Sequence, residues 1–281
     1  MGTVSQEKIK QLQCFPESFY IPSFQIAGNL YFVGNKDVGA YLLDTEEGLV
    51  LIDTTYPQTK FLLIQAIWEL GFRLQDIKHI LHTHGHFDHF GATRVIQKLS
   101  GAKTYLSCTE AAMFCENPGL SLISEAGYPN IKLFQPDILL RDGELLKFGS
   151  THIHCVLTPG HSPGTMSFFF KIKEKDKFYN VGLYGGAGLN TLKKDYFIKY
   201  SLGLEEMEKM RDFYERSIEK VIKERVDINI GNHADQSNTM EKRERFLMEP
   251  KVPNPFINET EWKHMLNRYR MKLQELRKSE D

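Results

Sequence analysis

Residues His84–His89 place four candidate metal ligands within six positions of a 281-residue chain. The segment reads His-Gly-His-Phe-Asp-His and directly follows an apolar run. Zinc accepts imidazole and carboxylate ligands, and a loop at the end of a strand can turn several side chains toward one point. A buried carboxylate among imidazoles is costly unless a cation offsets its charge. The segment therefore predicts a metal site; a solvated histidine-rich loop is the alternative.

The spacing within this segment favours two neighbouring ions. In extended backbone, His84 and His86 project to the same side and can share one ion. Asp88 and His89 lie at the turn into the next helix, where they can face a second ion.

The pattern His-x-His-x-Asp-His after a strand resembles the signature of the metallo-β-lactamase superfamily. Three supporting motifs follow the order of that family: Leu51–Thr54 with a strand-end aspartate, Thr158–Gly164 with a histidine, and Gly231–His233 after a late strand. The resemblance covers roughly residues 28–270. It implies an α+β fold, a four-layer αββα sandwich in which two mixed sheets are flanked by helices.

The resemblance also implies two sets of metal ligands, each of three side chains. The first zinc takes His84, His86 and His161, and the second takes Asp88, His89 and His233. Three protein ligands leave a coordination position open, which is typical of a catalytic zinc. Five imidazoles and one carboxylate suit zinc better than manganese or magnesium, so two Zn²⁺ per chain are expected. A redox iron site is disfavoured because the flavodiiron branch carries glutamate where His86 stands.

Two aspartates have expected roles beyond simple ligation. Asp53 is placed beside the metals, orienting a ligand imidazole through its other nitrogen. A cap or turn aspartate is the alternative for that residue. Asp88 is the predicted catalytic side chain, because a ligand carboxylate can also orient hydroxide and relay a proton to the leaving nitrogen.

The remaining histidines have predominantly structural interpretations. His79 and His82 are expected in the core or beside the site, and His152, His154 and His264 are expected to be structural.

A missing carboxylate narrows the branch of the family. Many superfamily hydrolases carry a bridging aspartate after the hairpin strand, and Ala187 stands at the matching position. This absence argues against the glyoxalase, lactonase and nuclease branches. Because no cysteine lies near Ala187 and His89 occupies an extra-histidine position, the pattern resembles the third lactamase subclass. That subclass has serines here that hold the substrate carboxylate, and Asn190 or Thr191 is the candidate replacement.

These features predict a zinc-dependent hydrolase that opens the β-lactam ring of antibiotics by a metal-bound hydroxide. The alternative within the class is a lactone, ester or thioester hydrolase with only side activity on β-lactams. A non-catalytic metal-binding protein and an iron-dependent oxygenase or electron-transfer module are rivals from other classes.

The elements that must position these residues alternate in type. Apolar runs predict strands at 29–33, 40–43, 49–52, 77–81, 103–106, 151–157 and 226–230, and pair 166–172 with 178–184. Helical spacing predicts helices at 61–70, 92–99, 109–116, 204–221 and 262–276. Asp142-Gly143 between two apolar runs predicts a hairpin over 138–148.

Composition and net charge limit the possible domain organisation and the possible classes of binding partner. With 41% hydrophobic and 25% charged residues, the chain is expected to form one domain over 1–281, with 1–22 as an N-terminal extension and 258–281 as a C-terminal helix packed on it. A formal charge of −1 means that the chain has no excess of positive charge for binding nucleic acid or an anionic membrane. We expect a small-molecule substrate and a monomer; an oligomer stays open.

The N-terminus lacks the apolar core of a signal peptide, and no run of about 18 apolar residues occurs. A cytoplasmic location is expected unless a leader has been removed. Cys14, Cys108, Cys115 and Cys155 show no CxxC spacing and are expected to be free thiols.

Overall fold

The computed structural model describes residues 5–249 and 253–280, and within these ranges twelve strands form two sheets. The strands are β1 (Phe24–Ala27), β2 (Leu30–Phe32), β3 (Tyr41–Thr45), β4 (Gly48–Ile52), β5 (Ile77–Leu81), β6 (Lys103–Ser107), β7 (Ile138–Leu140), β8 (Glu144–Phe148), β9 (Thr151–Leu157), β10 (Met166–Glu174), β11 (Lys177–Tyr184) and β12 (Ile228–Gly231). The helices are α1 (Gln6–Cys14), α2 (Lys60–Glu69), α3 (Phe87–Phe90), α4 (Thr93–Ser100), α5 (Cys108–Glu116), α6 (Lys194–Lys199), α7 (Leu204–Val221), α8 (Thr239–Met248) and α9 (Glu261–Glu280).

The larger sheet has seven strands in the order β1 to β7. Its first half is antiparallel, and β4, β5, β6 and β7 run parallel to one another. The smaller sheet has the order β12-β11-β10-β9-β8, antiparallel except for the parallel pair of β11 and β12. Both sheets are therefore mixed, as the sequence predicts.

Alternation along the strands explains how the sheets pack. In β4, Val50 and Ile52 face the smaller sheet, where they pack in a core shared with Phe168 and Val181. Leu51 faces the opposite side and packs in a core with residues of α2 and α4. A strand buried on both faces needs apolar side chains at every position, and β4 supplies them.

A third core covers the outer face of the smaller sheet. Trp262 of α9 packs against Tyr184 of β11 and Phe169 of β10, with ring centroids 6.4 and 5.4 Å apart. Tyr214 of α7 lies in the same buried cluster. The layers are thus helices, large sheet, small sheet and helices, which confirms the predicted αββα sandwich.

The predicted hairpin over 138–148 is wrong. β7 pairs with β6 in the larger sheet, whereas β8 pairs with β9 in the smaller one. Asp142 lies at the crossing between the sheets, where it accepts a hydrogen bond from the Leu157 backbone N–H at 2.9 Å and pairs with Lys220 at 2.8 Å. Turn chemistry predicts that the chain turns there, but it does not identify the sheet each flanking strand joins.

Other element predictions are confirmed to within two residues at most boundaries. Strands 77–81 and 151–157 and helix 204–221 have the predicted bounds. Helices α1, α6 and α8 have no counterpart in the sequence analysis. No helix in the described ranges is long and apolar enough to cross a bilayer. All four cysteines are free, and Cys155 alone among them is buried.

Candidate metal centre

The first donor group consists of three buried imidazoles. His84 and His86 follow β5, His161 follows β9, and one nitrogen from each ring lies within 4.8 Å of the others. His86 Nδ1 lies 3.1 Å from His161 Nε2. His84 Nδ1 lies 3.0 Å from the Thr83 hydroxyl, and His84 Nε2 is buried without a hydrogen-bond partner. The free nitrogen of His84 is therefore the one directed at the group.

The turn after β11 holds the His161 ring from behind. The carbonyl of Gly188 lies 2.7 Å from His161 Nδ1, which leaves Nε2 for the donor group. The Thr191 hydroxyl donates to the His161 carbonyl at 2.6 Å. Gly186 packs so closely that a Cβ there would lie 2.7 Å from the His161 Cβ. Small residues in this turn are therefore required for the position of the ring.

The second donor group combines a carboxylate with two imidazoles. Asp88 and His89 lie in the short helix α3, and His233 follows β12. Asp88 Oδ2 lies 3.4 Å from His89 Nε2 and 3.4 Å from His233 Nε2. His89 Nε2 is buried and makes no hydrogen bond. All six predicted ligands are thus assembled in two groups of the predicted membership.

Asp53 lies behind the second group, as the sequence analysis expects. Its Oδ2 is 3.0 Å from His89 Nδ1 and accepts a hydrogen bond from the Thr83 hydroxyl, whereas its Oδ1 accepts from the Thr83 backbone N–H. The residue follows β4 with a φ of 59°, a left-handed conformation that aspartate tolerates better than most residues. Its carboxylate therefore fixes the ring of His89 so that Nε2 faces Asp88.

Asp37 is a site residue that the sequence analysis missed. Its Oδ1 lies 3.7 Å from His233 Nδ1, and its Oδ2 accepts hydrogen bonds from the Tyr56 hydroxyl at 2.6 Å and from Lys8 Nζ at 2.9 Å. No motif contains Asp37. Only the proximity of the β2–β3 connection to the end of β12, shown by the bridge between Val38 and His233, identifies it.

The donor geometry fits metal ions of zinc's size. Zinc–nitrogen distances of 2.0–2.1 Å place two ligands of a tetrahedral ion about 3.3 Å apart. The separations of 3.1 Å between His86 and His161 and of 3.4 Å around Asp88 are close to that value. The orphaned Nε2 atoms of His84 and His89 are otherwise unexplained, because buried polar atoms normally have partners.

The electrostatics of the first group favour neutral ligands. Burial, together with neighbouring imidazoles, holds the pKa of His84 and His86 well below the usual value. Burial lowers the pKa of His161 to about 4. Neutral imidazole is the form that binds metal, so these rings need no deprotonation at neutral pH.

The second group attracts positive charge. Burial lowers the pKa of His89, but Asp88 and Asp53 outweigh it and raise the pKa to about 9. Burial likewise lowers the pKa of His233, and Asp37 and Asp88 outweigh it and raise the pKa to about 10. Carboxylates that stabilise a proton on these imidazoles also stabilise a metal cation at the same place.

Comparison with known proteins identifies the family. A family model described as the metallo-beta-lactamase superfamily matches residues 34–174, half of the chain. The chain belongs to the metallo-beta-lactamase superfamily. Within this superfamily fold, the two donor groups form a candidate site for two metal ions.

The proteins similar to this superfamily member have different activities. The structure is similar to BJP-1, a subclass B3 metallo-beta-lactamase of Bradyrhizobium japonicum, with a TM-score of 0.82 and 25% identity over 93% of this chain and 96% of that one. The sequence is 33% identical to the hydroxyacylglutathione hydrolase GloC of Haemophilus influenzae over 52% of this chain and 66% of GloC. It is 25% identical to the N-acyl homoserine lactonase AiiA of Bacillus thuringiensis subsp. kurstaki over 50% of this chain and 60% of AiiA. The chain thus spans less than two thirds of these two curated relatives.

Ala187 lies in the turn that contacts His161 but belongs to neither donor group. The residue is fully buried, and its carbonyl accepts a hydrogen bond from the Tyr214 hydroxyl at 2.7 Å. Its neighbour Gly188 contacts His161. The turn that contains Ala187 therefore contacts a ligand of the first group, and the side chain at this position is a methyl group that cannot bind a metal ion.

A cavity of about 400 Å³ opens over both donor groups. Asn190 lines it, whereas the Thr191 hydroxyl is engaged by His161. Ser5 and Lys8 reach the same cavity from the N-terminal segment. Of the two candidate replacements for the family's serines, only Asn190 thus lines the cavity.

The other histidines lie outside both groups. His82 is buried, with its nitrogens 2.8 Å from the Tyr105 carbonyl and 2.7 Å from the Thr93 hydroxyl. His79 stacks on Phe148 with ring centroids 4.2 Å apart. His82 is thus a core residue, whereas His79 is half-buried at the edge of the core. The three remaining histidines are exposed: His152, His154 and His264.

Proposed function

We propose that this superfamily member is a dizinc hydrolase that opens the β-lactam ring of antibiotics. The observation that carries the proposal is the three-histidine group beside an Asp-His-His group, in a fold that matches a subclass B3 lactamase over 93% of the chain. Ala187 supports it, because its methyl group provides no bridging carboxylate.

Zinc is the proposed metal at both positions. Five imidazoles and one carboxylate form a donor set that suits zinc, whereas manganese and magnesium prefer more oxygen. Zinc in such sites polarises a carbonyl and makes water nucleophilic near neutral pH.

Asp88 is the proposed catalytic side chain. It lines the cavity, and its Oδ2 is directed at His89 and His233. A carboxylate held there accepts a hydrogen bond from the attacking water and orients it toward the carbonyl. When the C–N bond of the ring breaks, the same carboxylate passes a proton to the nitrogen. Burial raises the pKa of Asp88, but His89 and His233 outweigh it and hold the pKa well below its usual value, so the group begins as a base.

Asn190 is the proposed anchor for the carboxylate that β-lactam antibiotics carry beside the ring. Its amide can donate to that group from the wall of the cavity.

A second candidate function is hydrolysis of a lactone or a thioester, with only side activity on β-lactams. Sequence similarity to GloC and AiiA favours it. The two functions share the attack on a carbonyl and differ in the leaving atom, which is nitrogen in a lactam and oxygen or sulfur in the others. Protonation by Asp88 matters most for nitrogen, the poorest leaving group of the three.

A substrate panel separates the two candidates. The zinc-loaded protein is assayed with a chromogenic cephalosporin, an N-acyl homoserine lactone and a hydroxyacylglutathione. We expect the largest kcat/KM for the cephalosporin, loss of turnover with a chelator and recovery with zinc. His86→Ala should abolish turnover, whereas the exposed-histidine variant His154→Ala should not. Strong lactone or thioester turnover without lactam turnover refutes the primary proposal and establishes the second.

A further inference from the structure

We propose that Glu110 is a positioning residue that sets the spacing between the two loops carrying the three-histidine group. The inference rests on the metal centre of the proposed function but not on its substrate. Glu110 belongs to no motif of the sequence analysis, and it lies on α5, an element that contributes no metal ligand.

Glu110 makes three short hydrogen bonds, all to the two ligand loops. Its Oε2 accepts from the backbone N–H of Gly85 at 2.6 Å. Its Oε1 accepts from the backbone N–H of Gly164 at 2.6 Å and from the hydroxyl of Ser162 at 2.7 Å. Gly85 lies between two ligands of the first group, and Ser162 directly follows the third. One carboxylate therefore joins Gly85 to residues that lie 77 and 79 positions later in the chain.

The burial of Glu110 makes these contacts costly to lose. The side chain has 0% exposure, and burial raises the pKa of its carboxyl group. Among the described residues, no lysine or arginine forms an ion pair with it. A buried carboxylate without a cation depends on its hydrogen bonds, and two polar backbone groups depend on it in return.

The first turn of α5 gives the carboxylate a fixed position. Ser107 is the N-cap, accepting from the Glu110 backbone N–H at 3.1 Å, and its hydroxyl donates to the Gly164 carbonyl at 2.6 Å. The helix N-terminus also stabilises an anion in this turn. A Cβ at Gly85 would lie 2.7 Å from Glu110 Oε2, and one at Gly164 would lie 2.6 Å from the Glu110 backbone nitrogen. Both loops are therefore built to approach Glu110 closely.

Glu110→Gln tests the inference with a nearly isosteric side chain. An amide has one oxygen, so its NH₂ must face either the Gly85 N–H or the Gly164 N–H, and two donors repel. Loss of a side chain that orients ligands typically costs 10- to 100-fold in metal affinity. We expect one of the two stepwise zinc dissociation constants, measured against a chromophoric chelator, to rise by about that factor, with the other unchanged. The visible spectrum of the cobalt-substituted protein should change with it.

Glu261→Gln is the matched control, because Glu261 is a mostly buried carboxylate paired with Lys242 away from the donor groups. It should leave both zinc constants and the cobalt spectrum unchanged. The inference is overturned when folded Glu110→Gln behaves like wild type in both measurements, or when Glu261→Gln weakens zinc equally.

Ser162→Ala serves where Glu110→Gln does not fold. It removes one of the three hydrogen bonds and should raise the same zinc constant several-fold; an unchanged constant overturns the inference. Wild-type protein without bound zinc overturns the metal centre together with this inference. Two bound zincs without lactam turnover overturn only the proposed substrate.

Discussion

Asp53, Asp37 and Glu110 are three carboxylates that stand behind the metal ligands. Asp53 orients His89, Asp37 faces His233, and Glu110 holds the loops of the three-histidine group. Asp53 could be predicted because it ends an apolar strand within a recognisable motif. The other two could not, because a lone acidic residue in a polar loop or in the first turn of a helix carries no local signal of what it will contact.

Substitution of Asp53 tests its role. Asp53→Asn preserves the left-handed backbone, which asparagine tolerates, but its one amide oxygen cannot accept from both the Thr83 backbone N–H, which bonds Oδ1, and His89 Nδ1, which faces Oδ2. We expect 10- to 100-fold weaker binding of one zinc, measured by competition with a chelator. The exposed Asp142→Asn provides the control. Wild-type affinity in Asp53→Asn would show that this aspartate only stabilises the turn.

At the scale of elements, the strands and helices that bear ligands were predictable because their apolar patterns are strong and their ends carry the motifs. Strand β5 leads directly into the first two histidines, and β12 leads into His233. The predicted pairing of β7 with β8 was wrong, because a short apolar run fits the edge of either sheet. Helix α1 was missed because only Leu12 of its nine residues is fully buried, so it lacks a continuous apolar face.

Helix α1 is held near the cavity by a partly exposed ion pair. Lys8 Nζ contacts Asp37 Oδ2 at 2.9 Å, and Lys8 is 38% exposed. Such pairs contribute less than about 1 kcal/mol to stability. Lys8→Met should therefore leave the free energy of unfolding nearly unchanged while increasing amide hydrogen exchange within α1.

Lys10→Met, at an exposed position of the same helix, is the control and should exchange as wild type. Unchanged exchange in Lys8→Met would mean that Leu12, not the ion pair, holds the helix.

At the scale of the whole molecule, two sheets and their helices bury groups whose ionisation opposes folding. Burial raises the pKa of the Cys155 thiol to about 12 from 9.0. Because the folded pKa is the higher one, this group's contribution to stability is complete below pH 9 and is lost as pH rises toward 12. The αββα layering was predictable from the motif order; burial of this thiol at the centre of the sandwich was not.

Alkaline unfolding measures this effect. Between pH 8 and pH 10.5, ionisation of unfolded Cys155 should lower the free energy of unfolding by about 2 kcal/mol. In metal-free protein, the free energy of unfolding of Cys155→Ala should fall by about 2 kcal/mol less than that of wild type over the same interval. Denaturant titration at both pH values measures the difference. Because buried tyrosines contribute equally to both proteins, the difference isolates the thiol. Equal losses would place Cys155 in contact with solvent.

During translation, the ribosome completes the ligands of the two donor groups at different times. The ligands of the first group are complete at His161, whereas the second group lacks His233 until about 70 residues later. At about 5–20 residues per second, a ribosome needs several seconds to add that length. The three-histidine group is therefore complete in sequence while the strand that leads to the last ligand is still unmade. An ion can therefore meet the complete first set of ligands before the second set exists.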